Sequence, residues 1–250
     1  MILLKNLPSQ YKSDPIILSQ LKNEFGDYSK LEKEYDQWWD ELFMNQVIEQ
    51  SSNGNGARAG AGPVDYNEGK ILYMFIRRLK PNKVLELGFA SGCSGTVIAR
   101  ALEVNKKGIL HTIDYKSNPF KDKWIIDEFK RYINEGLIKA IYPKDGVEYI
   151  IENPNENYDI VFTDASHEFD FCDALAWALH KYYPNALQLY HEWSFSPLSS
   201  DEAKKYLAIP ENIHHQAFAE RKAFEDHFSS NEYSHYGFYG SCGLGVVKKI

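Results

Sequence analysis

The sequence predicts an α/β fold in which helices cover both faces of a mostly parallel sheet. From residue 65 onward, short apolar segments typical of strands alternate with segments that carry apolar residues at helical spacing. One of these strands, Lys83 to Leu87, leads directly into a glycine-containing loop and a new helical pattern. Two late strands are separated only by a Gly-Ser-Cys-Gly turn, which predicts an antiparallel pair. Together these observations predict a Rossmann-like, doubly wound sheet with an antiparallel last strand.

The first 50 residues are predicted to form an N-terminal helical cap. Asp14-Pro15 is a helix start, and Gly26 ends the apolar pattern that follows it. A second helix is predicted from about Ser29, with Trp38 and Trp39 on its apolar stripe. Tryptophans in this position are more often core or docking residues than ligand contacts. The same two rings are also suited to a homodimer contact.

A linker or lid is predicted between the cap and the sheet. Residues 51–63 read S-S-N-G-N-G-A-R-A-G-A-G-P, a composition that favours no regular element. A slack connection and a lid over a ligand fit this segment equally well. The sequence therefore predicts a cap at residues 1–50, a linker or lid at 51–64 and the sheet domain at 65–250.

Within the sheet domain, turn and capping residues delimit each element. Asp65-Tyr66-Asn67-Glu68 is a capping-box pattern that begins a helix, and Pro81 ends it. The strands are predicted at 83–87, 109–113, 137–142, 158–163, 186–190, 236–239 and 244–247. The later helices are predicted at about 96–102, 122–135, 147–151, 172–182 and 215–228.

Composition and charge narrow the functional classes. The chain has 250 residues, 44% of them hydrophobic, and a formal net charge of −7. This charge argues against a polyanion-binding protein, so no nucleic-acid partner is expected. No apolar segment reaches membrane-spanning length, and the apolar N-terminal segment is too short for a signal peptide. Three scattered cysteines favour a reducing compartment, so a cytoplasmic protein without a membrane partner is expected.

The glycine loop is the first candidate ligand site. Its glycines are Gly88, Gly92 and Gly95, a spacing that fits neither the dinucleotide fingerprint nor the phosphate-binding P-loop. Glu86, two positions before the first glycine, suits a cationic or ammonium-bearing ligand. An ordinary strand-to-helix turn is the alternative interpretation of the loop.

The predicted strand ends carry the other candidate residues, because ligands of open α/β sheets bind at the carboxyl ends of strands. These residues are Asp114, Asp145, Asp164, His167, His191 and Glu192. Asp114 follows Gly88 by 26 residues and is placed to accept hydrogen bonds from ribose hydroxyls, or else to cap a turn. Asp145 is expected to hold an adenine amino group or to cap the short helix after it.

With these residues in place, the sequence resembles the class I S-adenosylmethionine-dependent methyltransferases. The resemblance covers residues 65–250 and rests on E-L-G-F-A-S-G-C-S, T-I-D-Y, K-D-G and D-I-V-F-T-D-A-S-H, which occur in the family's order. It is closest to the metal-dependent small-molecule O-methyltransferases of the catechol, caffeoyl-CoA and macrocin type. His191-Glu192 differs from the Asp-Asn, Glu-Asp or His-Asp pairs of that group, and Pro184-Asn185 replaces its usual glycine pair.

This resemblance implies roles for the candidate residues. Glu86, Gly88 and Ser94 would lie near the methionine part of S-adenosylmethionine, Asp114 at its ribose and Asp145 near its adenine. Asp164, Glu192 and His191 would hold Mg²⁺, and His167 would remove the proton of the acceptor hydroxyl. The alternative for this second group is a helix-capping turn at 164–167, a buried histidine at 191 and a surface acid at 192.

The expected function is therefore transfer of a methyl group from S-adenosylmethionine to a hydroxyl of a small-molecule acceptor. Two other classes remain open at this point. One is a non-catalytic nucleotide-binding protein on the same fold. The other is an NAD-dependent or nucleotide-sugar enzyme, which the glycine spacing and Glu86 argue against.

Overall fold

The structure is a computed structural model that describes residues 15–42, 64, 66–116, 125–191, 219–238 and 243–250. These residues form eight helices and seven strands. In chain order, the elements are α1 (Pro15–Phe25), α2 (Ser29–Leu42), α3 (Tyr66–Leu79), β1 (Lys83–Leu87), α4 (Cys93–Asn105), β2 (Ile109–Ile113), α5 (Asp127–Asn134), β3 (Ile138–Ile141), α6 (Gly146–Glu152), β4 (Ile160–Thr163), α7 (Phe169–Tyr182), β5 (Leu187–His191), α8 (Ala219–His227), β6 (Tyr233–Phe238) and β7 (Leu244–Lys249).

The predicted elements are confirmed, with small shifts at their ends. The strand predicted to end at Tyr190 continues through His191, which pairs with Leu244 of β7. Helix α5 begins at Asp127 rather than near 122. The predicted linker at 51–63, the capping residue Asp65 and the Gly-Ser-Cys turn at 240–242 lie outside the described residues.

The chain divides into two compact units, and the first contains the described parts of residues 1–81, 90–110 and 118–139. Its N-terminal helices α1 and α2 pack against α3 through aromatic side chains. Trp39 and Tyr35 are fully buried and stacked, with ring centroids 5.4 Å apart, and Phe25 meets Phe75 edge-on at 5.0 Å. Trp38 is also buried. The docking role predicted for the tryptophans is confirmed, and burial leaves them little surface for a dimer contact.

Ion pairs fix how α2 meets α3. The ammonium group of Lys70 is buried and lies 2.9 Å from Glu32 and 3.2 Å from Asp36. About two turns further along α3, Arg77 donates to both carboxylate oxygens of Glu34, at 2.6 and 3.2 Å. A buried charge is tolerated only when it is paired, so these contacts specify one docking register for the N-terminal helices.

The second unit contains residues 82–89, 111–117 and the described part of 140–250, and most of the sheet belongs to it. The strand order is β3-β2-β1-β4-β5-β7-β6. Strands β1, β4 and β5 are parallel to each other. The chain proceeds outward from β1 to β3 on one side, then returns to place β4 on the other side of β1. The carboxyl ends of β1 and β4 therefore flank the topological switch point, where ligands of open α/β sheets bind.

The last two strands close the sheet as an antiparallel pair, as predicted. Strand β7 lies between β5 and β6 and is antiparallel to both. Gly245 of β7 is required there, because a Cβ atom at this position would lie 2.1 Å from the ring of Tyr190. Below the sheet, side chains of β1 and β4 form one core with those of α6, α7 and α8.

Among the described helices, none is both long enough and apolar enough to cross a bilayer.

Candidate functional site

The candidate site begins at the end of β1, where Gly88 makes a turn that requires glycine. Its φ is +88°, and its N–H donates to the carbonyl of Ile113 at the end of β2 (2.8 Å). On the other side, a Cβ atom at Gly88 would lie 2.1 Å from the carbonyl oxygen of Asp164. A side chain is excluded by both the backbone conformation and the space. Gly88 therefore lies between the ends of β2 and β4.

Glu86 lies inside the sheet domain rather than at its surface. The side chain is fully buried and accepts a hydrogen bond from the Thr112 hydroxyl on β2 at 2.5 Å. This buried carboxylate lies two residues before the turn at Gly88. Its predicted role toward an ammonium-bearing ligand stays a prediction.

Asp114 and Asp145 follow the ends of β2 and β3. Asp114 is buried, and its Oδ1 accepts the backbone N–H of Lys116 at 2.9 Å. Asp145 is the N-cap of α6, where its Oδ1 accepts the N–H groups of Val147 and Glu148 at 2.9 and 3.0 Å. Of the two alternatives for Asp145, the helix cap is present in the structure, and the adenine contact stays a prediction.

Ser94 lies in the first turn of α4 and is buried. The turn before it is tightly packed, because a Cβ atom at Gly92 (φ +83°) would lie 2.5 Å from the ring of Phe129. The packing against Phe129 therefore explains the glycine at position 92, whether or not a ligand binds the loop.

Asp164, His167 and His191 come together at the ends of β4 and β5. Oδ1 of Asp164 lies 3.4 Å from Nδ1 of His191 and 4.0 Å from Nε2 of His167. One potential ligand atom from each of the three residues lies within 4.8 Å of the others. His191 is buried, and the other two are partly exposed. The cluster has the residue types and the spacing to bind a divalent cation or to transfer a proton.

A fourth residue, Glu220 at the start of α8, lies beside this cluster and was not predicted from the sequence. Its Oε1 is 3.7 Å from Nδ1 of His167, and its side chain is 4% exposed. Burial raises the pKa of Glu220 to about 7, although the contact with His167 opposes this shift. In the sequence, Glu220 has helical spacing from Phe224 and Phe228, so its carboxylate falls on the apolar stripe of the helix. This unusual position is the sequence signal for Glu220.

Helix α8 is fixed by contacts on two sides. The ring of Phe224 stacks on Tyr190 of β5, with centroids 4.5 Å apart and planes 8° apart. At the end of the helix, Nε2 of His227 is 2.7 Å from the Asp173 carboxylate on α7. These contacts define the position of Glu220 relative to the end of β5. Glu192, the third predicted metal ligand, lies outside the described residues.

Comparison with known proteins gives similarity at the level of structure only. No protein-family model matches the sequence, and no curated protein sequence matches it. Solved structures do match across most of the chain. The methyltransferase PaMTH1 of Podospora anserina, bound to S-adenosylhomocysteine, has a TM-score of 0.58 at 15% identity, with 90% of this chain and 97% of that one covered.

Two further matches are O-methyltransferases. The Bacillus cereus enzyme in complex with S-adenosylhomocysteine has a TM-score of 0.58 at 16% identity, with 88% of this chain and 100% of that one covered. TomG of Streptomyces achromogenes, in complex with S-adenosylmethionine and involved in tomaymycin synthesis, has a TM-score of 0.54 at 18% identity, with 85% and 94% covered. The chain therefore has the Rossmann-like α/β fold of these methyltransferases.

Proposed function

We propose that this chain is an S-adenosylmethionine-dependent O-methyltransferase that acts on a hydroxyl group of a small molecule with the help of a divalent metal ion. The single observation that carries the proposal is the packing of Gly88 against Asp164 at the topological switch point. This packing puts a predicted cofactor loop directly beside a cluster that can bind a metal or a proton. Methyl transfer needs a site for the methyl donor next to a site that activates the acceptor.

The cofactor residues of the proposal are Glu86, Gly88, Ser94, Asp114 and Asp145. When bound, S-adenosylmethionine supplies a methyl group on a positively charged sulfur. The carboxylate of Glu86 is buried next to this loop and, in its ionised form, would favour such a ligand. Asp114, buried at the end of β2, has the acceptor oxygens that a ribose diol requires.

The acceptor residues of the proposal are Asp164, His167, His191 and Glu192. A divalent metal held there would lower the pKa of the acceptor hydroxyl and so favour its attack on the methyl carbon. As the new C–O bond forms and the C–S bond breaks, the hydroxyl proton must leave. His167 lies where it can serve either as the proton acceptor or as a metal ligand, 4.0 Å from the Asp164 carboxylate. Asp164 is common to both arrangements.

The matched structures support this proposal by their ligands and names. Two were solved with S-adenosylhomocysteine and one with S-adenosylmethionine. Two of the three are called O-methyltransferases. We accordingly propose a small-molecule acceptor as the partner of this chain.

Calorimetry with purified protein tests the cofactor class. S-adenosylmethionine and S-adenosylhomocysteine are expected to bind with one site per chain, whereas NAD is expected to show no heat of binding. Formation of S-adenosylhomocysteine is then measured with a panel of phenols and sugars, with and without Mg²⁺. Binding of NAD without binding of S-adenosylmethionine would refute the proposal and favour a dehydrogenase.

A further inference from the structure

We infer that Asp164, His167 and His191 form a binding site for a first-row transition dication of the Zn²⁺ type, in which Glu220 positions His167. The catalytic meaning of this site rests on the proposed function. The site differs from the sequence-predicted one in its ligands, with His167 in place of Glu192, and in its metal, with a Zn²⁺-type ion in place of Mg²⁺. The metal site itself stands on the geometry of these four side chains and is tested without the methyl donor.

The distances agree with three ligands around one ion. Ligand atoms about 2.1 Å from a metal lie about 3.0 Å apart in octahedral geometry and about 3.4 Å apart in tetrahedral geometry. Nδ1 of His191 is 3.4 Å from Oδ1 of Asp164, and Nε2 of His167 is 4.0 Å from the same oxygen. Nε2 of His167 must move about 0.6 Å closer to this oxygen to reach tetrahedral spacing, and the three ligand atoms already lie within 4.8 Å of one another. Three protein ligands leave at least one coordination position for a substrate oxygen.

The two ring nitrogens of His167 face two different groups, as expected for a histidine that binds a metal through one nitrogen and is oriented through the other. Nε2 faces Asp164, whereas Nδ1 faces Glu220 at 3.7 Å. Histidine ligands commonly donate their second ring N–H to a carboxylate, which fixes the tautomer and the ring orientation. Glu220 is the carboxylate that faces Nδ1, and its 3.7 Å distance must shorten for a hydrogen bond to form. In the inferred site, Nε2 of His167 serves as a ligand rather than as the base.

Glu220 supplies an independent indication that a cation belongs here. Its side chain is 4% exposed, and its Oε2 atom has no hydrogen-bond partner among the described residues. Burial of an ionised carboxylate without full pairing is costly; protonation removes this cost, and the positive charge of a metal–imidazole group beside it would offset it.

The donor set selects the class of metal. Mg²⁺ prefers oxygen ligands and retains most of its water, so two imidazoles and one carboxylate are a poor site for it. Imidazole nitrogen suits Zn²⁺, Ni²⁺, Cu²⁺ and Fe²⁺, and affinities at such sites follow the Irving–Williams order. The expected selectivity is therefore the opposite of the one implied by the family resemblance.

Titration of the untagged, chelator-treated full chain tests this inference. Zn²⁺ and Mg²⁺ are followed by calorimetry, and Co²⁺ is followed by its visible absorption. The wild type is expected to bind one Zn²⁺ per chain at least about 100-fold more tightly than Mg²⁺. His167→Ala is expected to weaken Zn²⁺ binding by about 100-fold and to change the Co²⁺ spectrum. Tighter binding of Mg²⁺ than of Zn²⁺ would overturn the inference.

The role of Glu220 is tested with Glu220→Gln and the conservative variant Glu220→Asp. Loss of the Glu220 carboxylate, which faces the ligand His167, is expected to weaken Zn²⁺ binding by about 10- to 100-fold and to shift the Co²⁺ absorption bands. Glu220→Asp retains a carboxylate and is expected to recover part of the Zn²⁺ affinity. Lys222→Gln is the matched control, since Lys222 lies exposed on the same helix and contacts Asp226 instead. Equal Zn²⁺ affinity in Glu220→Gln and Lys222→Gln would overturn the positioning role.

Failure of the metal site and failure of the proposed function give different results. Thermal unfolding by circular dichroism first confirms that each variant is folded. Zn²⁺ binding that requires His167, together with no binding of S-adenosylmethionine, upholds the metal site and refutes the methyltransferase proposal. Binding of S-adenosylmethionine with no Zn²⁺ binding upholds the cofactor part of the proposed function and refutes the metal site.

Discussion

Gly88 and Asp164 are in backbone contact: a Cβ atom at Gly88 would lie 2.1 Å from the carbonyl oxygen of Asp164 and 2.8 Å from Cα of Ala165. The N–H of Asp164 in turn donates to the carbonyl of Leu87 at 2.9 Å. The turn after β1 and the first residue of the candidate metal cluster are therefore in direct contact through backbone atoms, without intervening side chains.

Gly88→Ala tests this contact through stability. We expect a loss of at least about 3 kcal/mol in the free energy of unfolding, because the methyl group meets rigid backbone and φ is positive. Gly26→Ala is the control, since Gly26 also has a positive φ (+65°) but no atom within 4 Å of the added Cβ. That variant is expected to lose only about 1 kcal/mol. Urea unfolding followed by circular dichroism measures both, and equal losses would contradict close packing at Gly88.

Asp114 and Asp164 are expected to separate cofactor binding from turnover. Asp114→Asn should weaken binding of S-adenosylmethionine by about 10- to 100-fold, because a charged acceptor for the ribose is lost. Asp164→Asn should retain the wild-type affinity within about threefold and abolish methylation of any hydroxyl substrate that the wild type uses. Calorimetry and S-adenosylhomocysteine formation are the two measurements. Unchanged affinity in Asp114→Asn would refute the ribose assignment.

His167 and Glu192 distinguish the two ligand sets for the metal. The sequence predicts Glu192 as a ligand and His167 as a base, whereas the structure brings His167 to Asp164 and His191. We expect His167→Ala to reduce the Zn²⁺ content by at least about 10-fold, as measured by elemental analysis after dialysis, and Glu192→Gln to change it by less than about threefold. The opposite order would restore the sequence-predicted set.

The Glu34–Arg77 contact is expected to make stability pH-dependent. Burial alone would raise the pKa of Glu34, but hydrogen bonds from Arg77 and Tyr73 outweigh it and lower this pKa. A carboxyl with a lowered folded-state pKa stabilises the fold above its unfolded-state pKa, and this contribution is lost as the pH falls through the folded-state value. Glu34→Gln should therefore cost roughly 1 kcal/mol at neutral pH, given its partial exposure, and progressively less below about pH 4.

Unfolding in urea at several pH values measures this dependence. Glu41→Gln provides the control, because Glu41 is an exposed carboxylate on the same helix that contacts Gln37. Its effect should be small and should vary little with pH. A constant difference between the wild type and Glu34→Gln from pH 7 to pH 3 would contradict the proposed ion pair.

Most of the fold is predictable because its elements carry local signals. Asp14-Pro15, Gly26 and Pro81 delimit helices through backbone chemistry that any sequence context preserves. The placement of β7 between β5 and β6 carries no such signal. It depends on Gly245 fitting against Tyr190, a contact between residues far apart in the chain.

The candidate site is predictable only where it follows strand ends. Asp164 and His191 are predictable because parallel strands bring their carboxyl ends to one edge of the sheet. Glu220 belongs to a helix more than 25 residues beyond β5, and nothing in local spacing predicts where that helix packs. A polar residue on the apolar stripe of this helix is the available signal, but only the packing of the helix brings that residue to His167.

The stacking of Phe224 on Tyr190 has a chemical consequence. It packs helix α8, which carries Glu220, directly against strand β5, which carries His191. If the inferred metal is bound, exchanging the single residue Glu220 would retune the reactivity of that metal. The strand ends proposed to hold the methyl donor would then need no change, which would leave the scaffold free to diversify its metal chemistry independently of its nucleoside recognition.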